Sequence, residues 1–347
     1  MRLERLIAGE PPPVGVPLAI LPVDVQVGAE RWSKGRRLSA EDLVRLTRDP
    51  AVLPGGAITV LVPEADDLHE DEAAIRLATA VAGPGLELRG PVQSRVDLIA
   101  AADGVVRIRI AALERIDRID PLEVFTVFDG QIVRHGDLVA SVKVAPQLVS
   151  ASAVALGERI ARRGGPIVRV ASFQPRRVGV LVKESVRGLA RARFEASVRT
   201  KVESLGSTIA EIVYVADVAG AVVTGLRRLR AHRADVILTA GARSTDPSDP
   251  CVVAIEALGG RLIRRGVPAH PGSMLWLARL GRTSILGLPT CGAYSKATAA
   301  DLVLPLLLAG EPASREMIAR LGHGGILTRT MRFRFPPYAR ELDAPDG

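Results

Sequence analysis

The stretch "DVILTAGARSTDPSDPCVVAIEALGG", Asp235 to Gly260, decides how this chain is read. An apolar run stops at Gly241, and a helix-like pattern resumes near Cys251. Between them lie Ser, Thr, Asp and Pro in a density that a plain connection of about two to six residues does not need. Asp249 precedes Pro250, and proline suits the first helical position, so Asp249 or Ser248 is the expected N-cap. A helix starting there aims free N–H groups and its positive dipole end beyond the strand, an arrangement suited to an anion. Two readings of the loop stand side by side: a ligand-binding loop, or an elaborate cap.

The neighbouring sequence supplies a rhythm. "RVGVLV" (177–182) reads as a short strand and "ARARFEASVRTKVESLG" as a helix ended by Gly206. "TIAEIVYV" is a strand, "VAGAVVTGLRRLRAHR" an amphipathic helix with its arginines in solvent, and "DVILTAG" a buried strand. Cys251–Leu258 is a helix, "RLIRRGVPA", "LWLARL" and "SILGLP" are strands, and "SKATAADLVLPLLLAG" ends in a helix. Such alternation predicts an α/β fold, a mainly parallel sheet with helices on both faces. Ligands of these sheets bind beyond the carboxyl ends of the strands. The segments Gly241–Asp249 and Pro289–Ser295 are expected there, with Lys183, Glu184 and Ser185 after the first strand bordering the same cleft.

The N-terminal half has a different pattern. "GAITVLVP" and "DEAAIRLATAVA" predict a strand and a helix, and "VALGERIARRGG" another helix. "DGVVRIRI", "FTVFDGQIVRHGDLVASVKVAP" and "PIVRVASF" predict β-hairpins with Gly turns. The expected organisation is a β-rich region over 1–174, with room for two small modules, an α/β domain over 175–312, and a C-terminal extension over 313–347. From Pro336 onward "PPYARELDAPDG" reads as a loose tail.

Composition narrows the function. At 347 residues the chain is long for one core, and 48% hydrophobic residues exclude global disorder. The longest apolar runs, such as "LVLPLLLA", fall far short of the ~20 residues that span a bilayer. The proline-broken start does not read as a signal peptide, so a cytoplasmic location without membrane partners is expected. The net charge of +8 raises nucleic acid as a partner. However, basic pairs such as Arg227-Arg228 and Arg264-Arg265 are interleaved with acids, and aromatics at 3% are too few for base stacking. Arginine carries nearly all the positive charge and suits bidentate contact with phosphate, which favours a phosphate-bearing small molecule. Two cysteines and five histidines without ligand spacing give no metal site built by protein alone. No G-x-G-x-x-G follows a strand, and no Walker lysine loop is present.

Four segments now fall into order. Thr239, Gly241, Ser244 and Asp249 match the pattern T-x-G-G-x-S-x-G-x-x-D. "EALGG" at 256–260, Pro271-Gly272 and Gly287-Leu288-Pro289 follow in register with E-x-x-G-G, P-G-K-P and G-L-P-G-N-P. Over roughly Arg177 to Gly310 the chain resembles the molybdopterin-binding domain of the molybdenum insertase family. It is closer still to molybdopterin-binding proteins that occur alone or fused to a molybdenum-cofactor nucleotidyltransferase. It departs from the insertase pattern at Ala242, Asp246, Ser273 in place of the P-G-K-P lysine, and Thr290-Cys291-Gly292 in place of G-N-P.

The resemblance implies that Thr239, Gly241, Ser244, Asp246, Asp249, Pro271, Gly272, Ser273, Gly287, Pro289, Cys291 and Lys183 line a site for molybdopterin or molybdenum cofactor. No catalytic residue is assigned. Asp246 and Asp249 suit the N–H groups of a pterin, and Lys183 is the candidate to supply the missing lysine charge. Cys291 is either a small buried hydrophobe or a thiol in contact with molybdenum, a soft-ligand role. Cys251 sits where a helix dipole lowers a thiol pKa, or simply packs. The implied function is binding in cofactor maturation or delivery, with insertase activity on adenylylated molybdopterin (and a Mg ion) as one alternative. A ligand-free interaction module is the other. The implied partners are a molybdoenzyme, a nucleotidyltransferase or further copies of the chain in a homo-oligomer.

Overall fold

The computed structural model describes residues 1–13, 18–48, 53–183, 188–241, 246–288 and 297–340. The chain forms two compact units. One comprises 1–101, 108–127 and 136–169; the other comprises 102–107, 128–135 and 170–347.

In the second unit six strands form one sheet: β1 (Arg177–Val182), β2 (Thr208–Tyr214), β3 (Val236–Ala240), β4 (Arg261–Arg265), β5 (Trp276–Leu280) and β6 (Thr283–Leu288). Their order is β2-β1-β3-β6-β5-β4. The four strands β2, β1, β3 and β6 run parallel; β5 pairs antiparallel with β6, and β4 pairs antiparallel with β5. The parallel strands are apolar on both faces because helices cover both. Val178, Val180, Val182, Leu238 and Leu286 pack with α1 (Gly188–Glu203) and α4 (Ala300–Leu308). Leu181, Ile237, Trp276 and Ile285 pack on the opposite face with α2 (Ala219–Ala231) and α3 (Pro250–Ala257). The expected mainly parallel sheet with helices on both faces is therefore present. Strand order reverses between β1 and β3, since β2 lies on one side of β1 and β3 on the other. In such sheets the crevice at the carboxyl end of that switch point is the usual ligand site.

A buried ion pair ties the helices of the first face together, with Lys201 of α1 donating to Asp301 of α4. The second oxygen of Asp301 accepts from the Thr298 backbone N–H at 2.9 Å, and the Tyr338 hydroxyl donates to Asp301 at 3.1 Å. Phe335 and Ala339 are buried. The segment 336–340 is thus docked, contrary to the loose-tail expectation. Its aromatic and small residues belong to the core, a role that a proline-rich local sequence conceals.

The first unit is β-rich, as expected. Leu122–Thr126, Leu138–Val144, Arg95–Ala100 and Leu86–Val92 form an antiparallel sheet in that order, and Arg2–Ile7 and Ala57–Val62 pair in another. Helices Glu70–Val81 and Ala151–Arg162 stand where their apolar periodicity predicts. "FTVFDGQIVRHGDLVASVKVAP" folds back as expected, Phe125–Thr126 pairing antiparallel with Ala140–Ser141, but not through its first Gly turn: the intervening Ile132–Val133 pairs with Gly104–Val105 of the second unit. The Asp129-Gly130 turn signal suggests pairing between neighbours, whereas long-range pairing sets the register.

Candidate functional site

Three strand ends of the α/β unit bring charged side chains to the switch point. Lys183 follows β1, and its backbone N–H donates to the Ala240 carbonyl at 3.1 Å, which extends the sheet by one residue. Its side chain points to the face covered by α2 and α3 and is wholly buried. The ammonium lies 2.8 Å from Asp217 Oδ1 and 2.8 Å from Asp249 Oδ2. Asp217 stands in the turn between β2 and α2 and is 43% exposed, whereas Asp249 is 1% exposed. Burial opposes the charge on Lys183, but hydrogen bonds to Asp217 and Asp249 outweigh it, and its pKa stands above the ordinary lysine value.

Asp249 has two tasks. One oxygen holds Lys183, and the other accepts the Cys251 backbone N–H at 2.7 Å, making Asp249 the N-cap of α3 with Pro250 in the first turn. The cap expectation holds, but the site differs from the anion cradle that the dipole argument suggests. The Cys251 N–H at the start of α3 is already taken by a carboxylate, and a neighbouring ammonium balances that carboxylate. Asp246 is spent locally as well. It accepts from Ser248 N–H at 2.8 Å and from Ser248 Oγ at 2.6 Å, a side-chain turn that shapes the approach to the cap.

Cys251 is fully buried. Burial, with the Asp249 carboxylate adding to it, pushes its thiol up to about 12 against the opposing pull of Lys183. The helix dipole that favours a lowered value is outweighed, so packing is the role the geometry supports. Thr239 faces this thiol from β3, yet its buried hydroxyl makes no hydrogen bond of normal geometry. The Trp276 indole N–H is likewise buried without a partner. Gly287 stands between them in register, paired with Thr239 on one side and Trp276 on the other. A Cβ on Gly287 would fall 2.0 Å from the indole ring. That close approach gives Gly287 a packing reason independent of any ligand.

Pro271, Gly272 and Ser273 lie between β4 and β5. Gly272 has φ +103°, and a Cβ there would meet the Ala299 backbone N at 2.8 Å. The Pro271 carbonyl accepts the Ala299 N–H at 2.9 Å. This motif therefore packs at the start of α4, on the face opposite Asp249. Among the described residues no hydrogen bond or ion pair joins it to the Lys183 cluster. Gly241, at φ +85°, ends β3. Ser244, Pro289, Cys291, Glu184 and Ser185 lie outside the described residues, and with them the expectation that Asp249 and Cys291 line one cleft.

The structure unites Lys183, Asp249 and Thr239 and adds Asp217, which sequence reasoning missed. Asp217 follows β2, and the carboxyl-end rule that singles out Lys183 and Asp249 is the signal that could have found it. Among the described residues no group of three or more His, Cys, Asp or Glu is poised for a metal. The space between Asp217 and Asp249 is filled by an ammonium, so the Mg ion that an insertase reading brings does not fit between these two carboxylates.

A parallel sheet covered by helices on both faces, with charged side chains gathered at its switch point, is the arrangement of small-molecule-binding α/β domains. Residues 180–309 match the model of the family described as "Probable molybdopterin binding domain". Among solved structures the chain is similar to a molybdopterin biosynthesis MoeA protein from Pyrococcus horikosii, at 13% identity and TM-score 0.30, covering 74% of this chain and 81% of that one. It is also similar to a MoaB from Thermus, at 25% identity and TM-score 0.30, over 40% of this chain and 98% of that one. A MogA structure matches at 21% identity and TM-score 0.28, over 42% and 99%. No curated protein matches the chain. No helix among the described residues is long and apolar enough to cross a membrane.

Proposed function

We propose that the α/β unit binds molybdopterin or molybdenum cofactor at the carboxyl ends of β1, β2 and β3 and serves in maturation or delivery of that cofactor. The observation that carries this reading is the Asp217–Lys183–Asp249 cluster at the switch point of a domain of the matched family. Asp217, half in solvent, is the carboxylate able to accept N–H donors from a pterin ring. Lys183 keeps the two carboxylates from repelling one another, and the cluster as a whole stays net negative, which suits N–H donors of a pterin ring. Thr239 and the cap of α3 fix the floor of the site. Calorimetric titration with molybdopterin under anaerobic conditions tests the reading: saturable binding that Asp217→Asn weakens supports it, and no binding at micromolar protein sinks it.

Insertase activity is a narrower reading. The pair of converging carboxylates favours it, while Ser273 in place of a lysine and the ammonium between the carboxylates count against it. Release of AMP from adenylylated molybdopterin and molybdate is its test, and a protein that binds pterin without releasing AMP removes it.

A further inference from the structure

The opposite end of the same sheet holds a cavity of about 690 Å³, at the amino ends of β1, β3 and β6. Five arginines line it, Arg176, Arg230, Arg233, Arg279 and Arg282, against two carboxylates, Asp235 and Glu311. These arginines come from four places in the chain: before β1, the end of α2, β5, and the β5–β6 turn. The basic run of α2 reads in sequence as a solvated face, because the convergence is visible only once the sheet brings its amino ends together.

The charges are not balanced internally. Asp235 is largely spent on the backbone, its Oδ2 accepting the Arg177 N–H at 2.9 Å, and Arg176 approaches its other oxygen only to 3.9 Å. Among the described residues Arg230, Arg233 and Arg282 make no ion pair and no side-chain hydrogen bond. The Nε of Arg176 is buried without a partner. Arg279 is held by its own turn, Nε donating to the Gly281 carbonyl at 2.8 Å, so the rest of its guanidinium is presented in a fixed orientation. Like charges gathered in one concavity repel, and they raise the local concentration of anions.

Arg233 adds an independent sign. It is the residue after the C-cap of α2 and has φ +57°. Its N–H donates to Arg230 O at 2.9 Å and the Ala234 N–H donates to Leu229 O at 3.2 Å, the paired bonds of a helix end that favours glycine at this position. An arginine stands where glycine would cost less, and its side chain lines the cavity.

We infer that this cavity binds a small phosphorylated anion, at a site separate from the carboxyl-end cluster. Guanidinium forks match phosphate oxygens in pairs. No aromatic residue lines the cavity, so nothing there stacks on a nucleobase, and the phosphate groups carry the recognition. The volume lies within the roughly 300–1,000 Å³ typical of small-molecule sites.

The test is calorimetric titration of the full chain with pyrophosphate, and with citrate as a carboxylate control. The expected result is saturable one-to-one pyrophosphate binding, weakened about tenfold by Arg279→Ala and by Arg233→Gly, as loss of one charge-assisted contact predicts. Arg227→Ala, in the same helix but outside the cavity, leaves it unchanged. Arg233→Gly should at the same time raise the melting temperature, which no structural role for the arginine would produce together with lost affinity. Absence of saturable binding, equal loss with Arg227→Ala, unchanged affinity in Arg233→Gly and Arg279→Ala, or preference for citrate each overturns the inference. Because the readout uses pyrophosphate and cavity variants, it is independent of whether the carboxyl-end site takes a pterin.

Discussion

The Lys183 ammonium lies 2.8 Å from the Asp249 carboxylate, and neither side chain has appreciable contact with solvent. A buried pair of this kind contributes little compared with an apolar isostere, but breaking it leaves an uncompensated charge in a low-dielectric site.

Lys183→Met should therefore cost about 3–5 kcal/mol, the range for removing one partner of a buried pair. Asp249→Ala should cost less, because Lys183 keeps Asp217 as a partner. It still exceeds the ~1 kcal/mol of a lost cap, since the buried ammonium loses a carboxylate as well. Urea unfolding of the two variants beside the parent measures both. A Lys183→Met loss under about 1 kcal/mol would show that the pair contributes nothing to the fold.

The pH dependence follows from the direction of the Lys183 shift. Its folded pKa is raised above 10.5, so the protonated form is favoured in the folded state. The contribution is fully present below 10.5 and is lost as pH rises through the raised folded value. The stability gap between parent and Lys183→Met should stay level from neutral pH to about pH 10 and narrow only above that. A gap that closes between about pH 7 and 9 contradicts the assignment.

A resident ammonium also predicts a metal response. With Lys183 present, Asp217 and Asp249 share one positive charge and bind Mn(II) weakly or not at all. Lys183→Ala leaves two carboxylates facing a space vacated by a cation, and hard cations take oxygen ligands. Electron paramagnetic resonance of added Mn(II) should show a bound fraction in Lys183→Ala and none in the parent. A parent protein that binds Mn(II), and loses it in Asp249→Asn, would refute the resident-cation picture.

Much of this arrangement is legible in the chain before the fold is known. The alternation of "RVGVLV", "TIAEIVYV" and "DVILTAG" with helical segments carries the parallel sheet, because buried parallel strands are apolar on both faces. Pro250 after Asp249 marks the cap through fixed proline geometry. What escapes reading depends on contacts distant in sequence. Nothing local says that Lys183 reaches residues 34 and 66 positions away. Nothing local says that Gly287 makes room for Trp276, or that Tyr338 docks on Asp301. Nor does anything local say that the Pro271-Gly272 turn packs against Ala299 at the start of α4.

Cys251 offers a chemical check on burial. With its thiol pushed up to about 12, it is almost wholly protonated at about pH 8 and should resist iodoacetamide in the folded protein. In a Cys291→Ser background, labelling should proceed only at the rate of unfolding and become rapid in denaturant. Fast labelling of the native protein would mean that the α3 N-terminus opens readily and that the dipole, rather than desolvation, governs this thiol.

Asp217 separates stability from ligand binding. It is the exposed member of the cluster, so its pair with Lys183 is screened by water, and Asp217→Asn should cost under about 1 kcal/mol. The amide keeps the side-chain shape and one acceptor oxygen, while Lys183 keeps the buried Asp249. If the carboxylate also receives N–H donors from a pterin, its charge matters to the ligand far more than to the fold. Hydrogen bonds to a charged group contribute about 1.5–3 kcal/mol, so molybdopterin affinity should fall by roughly tenfold to a hundredfold. Asp246→Asn, altering a carboxylate committed to Ser248, should change affinity much less. Equal losses in the two variants would mean that charge in the loops at large, and not the position of Asp217 at the end of β2, attracts the ligand.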